Sequence, residues 1–190
     1  MTSAITGDAS PGGSFWSANY AQGVKYLSWV MPMSYDYHAA GNTGPDCSAL
    51  AAGHLPERHV QGVRHQDGHR CLKGRGVPSR KILLGVPFYG RGWTGVTQTR
   101  PGGTATGPAK GTEETGIEGY DVLIKTCPPT GTVAGTAYAR CGDNWWTYDT
   151  PKTIAGKMLY AKHQKLGGGF FWDFSGDTAK AALTKAMAKG

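Results

Sequence analysis

The sequence lacks any long apolar run, and nothing in it approaches the roughly 18 to 20 consecutive apolar residues that a membrane-spanning helix needs. No membrane partner is therefore expected. Its first residues, MTSAITGDAS, have neither the basic start nor the apolar core of a signal peptide. Acidic residues are scarce beside basic ones, 13 against 20, giving a net charge of +7. Such a surplus raises nucleic acid or an acidic surface as a partner. Yet from His54 to Arg80 five arginines and one lysine face only Glu57 and Asp67, so +4 of the +7 lies in one window. That window holds no Phe, Tyr or Trp on which a base could stack, and nucleic acid is not expected. Thirty glycines and eleven prolines exclude a helical bundle and call for many turns, long loops and modest helical content.

What remains is a chain of 190 residues with 39% hydrophobic residues, enough for one domain with a real core. The most informative stretch is Lys81 to Trp93, KILLGVPFYGRGW, in which Ile82, Leu83, Leu84 and Val86 form a continuous apolar run. Such a run predicts a parallel strand covered on both faces. Tyr89, Arg91 and Trp93 follow at two-residue spacing. If the strand continues through them, alternation puts two rings and a cation on one side, a surface suited to a polar ligand such as a sugar. A second run, Trp29 to Tyr37, follows a helix expected over about residues 17–27, with Tyr20, Val24 and Leu27 on one face. Pro32 is awkward there, because a central strand cannot spare an amide donor. A third run, Leu166 to Ser175, is preceded by a well-signalled helix: Thr150 as N-cap, Pro151 at the first position, Ile154 and Met158 on one face and Gly167 as a stop. Asp177 can cap a last helix carrying Leu183 and Met187. Strand and helix alternate, which predicts a parallel sheet or an α/β barrel.

Residues 94–149 are rich in glycine, threonine and proline, too long a stretch for a structureless loop, and predict a small inserted subdomain. Cys127 and Cys141 lie inside it. In an exported protein they would make a staple; in a cytosolic one they would be free thiols.

The ordered set MSYDYH, ILLGVPFYGRGW, WWTYD and LGGGFFWDFSGD resembles the C-terminal half of chitinases of glycoside hydrolase family 18, more narrowly the secreted bacterial ones. The resemblance covers roughly residues 1 to 45 and 73 to 190. It implies an α/β fold, a partial (β/α)8 TIM barrel holding strands five to eight with a small α+β insertion after strand seven. Residues 1–93 would be barrel, 94–149 insertion and 150–190 barrel again. Strand five would be Met1 to Thr6, strand six Trp29 to Asp36, strand seven Lys81 to Tyr89 and strand eight Gly168 to Phe174. The implied substrate is chitin or its oligosaccharides, cleaved by substrate-assisted retention, with no cofactor and no metal. By the same match, Tyr35 resembles the tyrosine that binds the substrate acetamide, Asp36 the acid beside it, and Met33 the residue packed beneath. Arg91 resembles the cleft arginine and Trp172 the aromatic floor of the central subsite; Tyr89 and Trp93 are added as substrate-binding candidates from their spacing. Weighed alone, Trp172 would be core and Tyr35 and Asp36 a plain strand end. Asp173 and Asp177 are read as a strand-end hydrogen-bond acceptor and a helix cap, and Glu113, Glu114 and Glu118 as solvated.

Two departures limit the resemblance. The family's general acid closes a DxxDxDxE motif, and no such spacing occurs in the chain. Proton transfer by a positioned residue contributes about 10²- to 10⁴-fold. The chain is therefore expected to be a fragment, inactive and poorly stable alone; the alternative is a non-catalytic chitin-binding protein. Between residues 45 and 72 the family pattern dissolves, and His54, His59, His65 and His69 gather near Cys71. His65 and His69 have helical i, i+4 ligand spacing, which raises a metal site. A local reading-frame shift accounts for the same composition, leaves Cys47 and Cys71 without designed partners, and is favoured by the abrupt return of the pattern.

Overall fold

A computed structural model of the chain describes residues 1–9, 14–36, 65–97, 104–133 and 135–190, apart from the side chains of residues 65–67. Cys47, His54 and His59 lie outside the described residues, as does the side chain of His65. The strands are β1 (Thr2–Thr6), β2 (Trp29–Met33), β3 (Leu83–Pro87), β4 (Tyr89–Thr94), β5 (Gly107–Pro108), β6 (Ile117–Gly119), β7 (Gly131–Val133), β8 (Thr136–Cys141), β9 (Asn144–Tyr148) and β10 (Gly168–Trp172). The helices are α1 (Tyr20–Gly23), α2 (His65–Gly74), α3 (Tyr120–Thr126), α4 (Pro151–His163) and α5 (Ala182–Lys189).

Four strands run parallel. β1 pairs with β2, and β10 pairs with β3, Gly168 opposite Leu83 through Trp172 opposite Pro87. The two pairs meet at one bridge between Val30 and Ile82. Among the described residues they close no barrel. Every residue of β3 is buried, as the continuous apolar run requires. Leu84 and Val86 pack with Ile154, Met158 and Ala161 of α4 and Leu183 and Ala186 of α5. Ile82 and Val30 join Phe15, Val24 and Leu72 in a second cluster under α1 and α2.

The helix expected over residues 17–27 is broken into a 3-10 turn at Ser14–Ser17, the single turn α1 and a 3-10 turn at Val24–Tyr26. Asn19 caps α1 through the Gln22 amide, and Gly23 is a poor helix former at its far end. The apolar face survives, since Tyr20, Val24 and Leu27 still pack on the second cluster. α4 begins as its sequence signals predict, with Thr150 and Thr153 capping each other reciprocally and Pro151 in the first turn. α5 starts later than predicted. Asp177 nonetheless caps it from upstream, accepting from the amides of Leu183 (3.0 Å) and Thr184 (2.9 Å).

Strand β3 does not continue through Tyr89 to Trp93. The chain turns at Phe88 and leaves the parallel layer, so β4 instead founds an antiparallel sheet in the order β5-β4-β9-β8-β7, with β6 also on β4. This sheet and α3 lie between Tyr89 and Tyr148, so the antiparallel strands begin five residues before the expected boundary at 94. Cys127, at the end of α3, is bonded to Cys141, at the end of β8, with Cα atoms 5.7 Å apart.

Two cations of the basic window, Lys73 and Arg75, and the adjoining Lys81 end on backbone carbonyls. Lys81 donates to the carbonyls of Val24 (2.9 Å) and Leu27 (2.7 Å), and Lys73 ties the end of α2 to the Gln164 carbonyl (3.0 Å). Arg75 donates to the Ala18 carbonyl and lies 5.4 Å from the ring centres of both Trp16 and Tyr20. His69 is fully buried, with Tyr160 as its aromatic neighbour, and neither ring nitrogen has a hydrogen-bond partner. Among the described residues no three His, Cys, Asp or Glu side chains group as metal ligands, and no helix is long and apolar enough to cross a membrane.

Two consequences can be measured. Replacing Cys127 and Cys141 by alanine releases a loop of 14 residues' separation and should cost about 3 kcal/mol by the loop-entropy relation, read from urea unfolding. Burial, helped by the nearby charge of Lys73, pushes the His69 imidazole down to about 4. The unfolded chain takes up that proton near pH 6.5, so stability is lost as pH falls from there toward 4. The loss between pH 7 and 5 should be about 2 kcal/mol, and His69→Leu should abolish it.

Candidate active site

The site forms where the parallel strands end. β2 stops at Met33, and three residues on, Asp36 adopts a left-handed backbone conformation with φ of 61°, uncommon for a residue other than glycine. Its carboxylate is held from the far side by β4. The Arg91 Nε–H donates to Oδ1 at 3.0 Å, an Nη2 hydrogen donates to Oδ2 at 2.5 Å, and the Tyr89 hydroxyl donates to the same Oδ2 at 2.5 Å. A planar guanidinium facing a carboxylate in this way is the strongest geometry for such a pair. Arg91 also lies 5.6 Å from the Tyr89 ring centre.

Tyr35 stands edge-on to Tyr89 at 6.4 Å and against Phe170 of β10 at 6.3 Å. Burial, then the Asp36 charge, raises its hydroxyl to about 12. Tyr89 is pushed up further by burial, the Asp36 charge and their hydrogen bond. Both hydroxyls therefore remain protonated donors across the neutral range. For Arg91, burial alone would weaken the proton's hold, but the hydrogen bond and charge of Asp36 more than offset it.

Above this group opens a cavity of about 650 Å³ whose walls include Tyr89, Arg91, Glu114, Glu118, Trp172 and Asp173, within the size range of small-ligand sites. Trp172, the last residue of β10, is 62% exposed. The next residue, Asp173, accepts from the Ser175 amide and hydroxyl. Behind the site, the buried Asp149 accepts from Lys157 at 2.5 Å and from the Thr153 hydroxyl at 2.9 Å.

Tyr35, Asp36, Tyr89 and Arg91 are thus brought together, and Trp172 faces the same cavity as the last two. Met33 is exposed at the end of β2, opposite Thr6. Trp93 is placed apart: it is 5% exposed and packs with Val96 and Trp145 in the antiparallel sheet. Its spacing from Arg91 is that of a shared strand face, but its cross-strand partner Trp145 covers it. Four acidic residues between positions 94 and 149, Glu113, Glu114, Glu118 and Asp121, border the cavity. Glu113 and Glu114 are exposed, whereas Glu118 is half-buried and accepts from the Thr112 amide (2.9 Å) and hydroxyl (2.6 Å). Nothing local in the sequence marks these acids as cavity-lining, because their position depends on β6 pairing with β4.

The architecture so far is that of an α/β protein with a polar cleft, lined in part by an exposed indole, at the carboxyl ends of parallel strands. The profile of the family "Glycosyl hydrolases family 18" matches residues 2–177, and the chain belongs to that family. Over 194 residues it is 52% identical to chitinase 63 of Streptomyces plicatus, covering 100% of this chain and 31% of that protein. It is 54% identical over 183 residues to chitinase C of Streptomyces lividans, covering 94% of this chain and 29% of that one. Among solved structures, the catalytic domain of a psychrophilic chitinase B from Arthrobacter superposes with a TM-score of 0.83 at 28% identity, over 99% of this chain and 44% of that one. A class V chitinase from Nicotiana tobaccum in complex with NAG4 superposes with a TM-score of 0.78 at 25% identity, over 99% and 55%. The chain spans about a third of the curated relatives. Its family and structural neighbours give it a TIM-barrel-like α/β fold.

The clamp on Asp36 can be tested directly. Removing Arg91 (R91A) leaves a half-buried carboxylate short of its charged partner and should cost about 1–3 kcal/mol in urea unfolding. Asp36→Asn removes the charge that helps hold both tyrosines protonated. The alkaline tyrosinate absorbance change should then move to lower pH, while the same substitution at the exposed Asp143 should leave it in place.

Proposed function

We propose that the chain is the substrate-side half of a chitinase-type barrel, in which β1, β2, β3 and β10 serve as strands five to eight and the antiparallel segment walls the cleft. The observation that carries this reading is the meeting of Tyr35, Asp36, Tyr89 and Arg91 beside the exposed Trp172. The ligand is a β-1,4-linked N-acetylglucosamine oligosaccharide. Trp172 offers its indole face to the apolar C–H surface of a pyranose. Tyr35, kept protonated, donates to the acetamide oxygen and holds it toward the anomeric carbon. Asp36, oriented by Arg91 and Tyr89, presents its remaining acceptor capacity to the same sugar. Met33 packs beneath, while Trp93 supports the sheet from within.

In substrate-assisted retention the acetamide oxygen attacks the anomeric carbon as the glycosidic oxygen is protonated. This chain supplies groups for the first half of that step. It has no DxxDxDxE motif to supply the proton, so the 190 residues alone bind without turnover. That absence also favours the second reading, a chitin-binding protein with no catalytic role in any assembly. The disulfide between Cys127 and Cys141 supports an exported protein, since such bonds persist in oxidising compartments.

Titration calorimetry with chitotetraose, beside a reducing-end assay on the same preparation, tests the reading. Binding should be measurable, turnover absent, and Trp172→Ala should weaken binding about tenfold. Turnover at a rate typical of a glycosidase, or affinity unmoved by W172A, would overturn it. Supplying a separately expressed family-type N-terminal half in trans separates the two readings, because only a catalytic fragment should gain activity.

A further inference from the structure

Pro32 removes an amide donor in the middle of β2, and the β2–β3 pairing consists of the single bridge from Val30 to Ile82. Two residues beyond the proline, Ser34 takes over the connection. Its hydroxyl accepts from the Gly85 amide at 3.2 Å and lies 3.3 Å from the Gly85 carbonyl, to which it donates. Its own amide donates to the Pro32 carbonyl at 2.8 Å, turning the chain out of the strand. Ser34 is 1% exposed, so no water competes for these bonds. One side chain thus stands in for the missing backbone ladder on both its donor and its acceptor side.

The opposite side of this contact is equally specific. A Cβ on Gly85 would lie 2.9 Å from the Pro32 carbonyl oxygen and 2.8 Å from the Phe170 ring. The bare backbone of Gly85 therefore admits β2 from one side and Phe170 from the other, and Phe170 is the ring against which Tyr35 packs. Tyr35 and Asp36 follow Ser34 directly, and Asp36 needs its left-handed backbone to reach Arg91 and Tyr89.

We propose that Ser34 is a positioning residue of the cleft: its two-way hydrogen bond to Gly85 repairs the ladder that Pro32 interrupts and so fixes where Tyr35 and Asp36 project. It touches neither ligand nor reacting atoms. The role depends on the reading of Tyr35 and Asp36 as sugar-binding groups, whereas the bond from Arg91 to Asp36 reports it without any ligand.

Ser34→Ala removes the bond with little change of volume, and Ser34→Thr retains the hydroxyl. Ile154→Val, in the core away from the cleft, is the control for general loss of stability. In the ligand-free protein the Arg91 Nε–H resonance should exchange slowly in the wild type, S34T and I154V, and should broaden or vanish in S34A. Chitotetraose affinity should fall about tenfold in S34A and stay within about threefold in S34T. An S34A protein with an unchanged Arg91 resonance would overturn the proposal, as would an I154V protein that loses the resonance at the same loss of melting temperature. If S34T does not fold, the comparison of S34A with I154V decides. If the wild type binds no chitotetraose, the sugar-binding reading fails while the resonance still decides the positioning role.

Discussion

The Asp36 carboxylate is the point at which two separately built sheets are joined. It rides on the end of a parallel strand, and both side chains that hold it come from the first strand of the antiparallel sheet. A shared apolar core already packs the two sheets together, and this grip adds a polar tie at the cleft itself. With it, a left-handed residue, a guanidinium and the Tyr89 phenol share one hydrogen-bonded group, and Tyr35 packs edge-on against that phenol. The geometry has a cost, since Asp36 carries a backbone conformation that non-glycine residues avoid. The three charge-assisted bonds it receives are what stabilise that conformation.

Much of this was legible because apolar runs and caps are local. The strand at Leu83–Pro87, the capping of α4 by Thr150 and the role of Asp177 all follow from residues within a few positions of one another. Tyr35, Asp36, Arg91 and Trp172 were named from the resemblance and Tyr89 from its spacing, and the fold brings Tyr35, Asp36, Tyr89 and Arg91 to one place. What failed was the step from spacing to direction. Alternation along Tyr89, Arg91 and Trp93 is real, but Trp145, some fifty residues away in sequence, decides that Trp93 is covered. The break at Phe88 was likewise invisible, because it depends on which sheet offers β4 a partner.

The basic window shows the same limit from another side. A charge run is a statement about composition until its acceptors are known, and here two of its cations, together with the adjoining Lys81, end on backbone carbonyls. Ser34 is the converse case. A serine two residues after a proline has no distinguishing pattern, and its importance comes from the glycine opposite it, 51 residues away.

Phe88, the residue at which the chain changes sheets, ties together more than its two neighbours. Its amide donates to the Trp172 carbonyl at 2.8 Å, its carbonyl accepts from the Tyr120 amide at 3.0 Å, and its ring stacks on Phe171 at 4.3 Å. The returning end is pinned by Asp149 and Lys157. The antiparallel segment is thus held at both of its junctions by bonds that belong to the junctions themselves. Phe88 and Asp149 are therefore the seams along which this segment and the parallel strands share one core, while the turn at Gly142 is open, since a Cβ there would meet nothing within 4 Å.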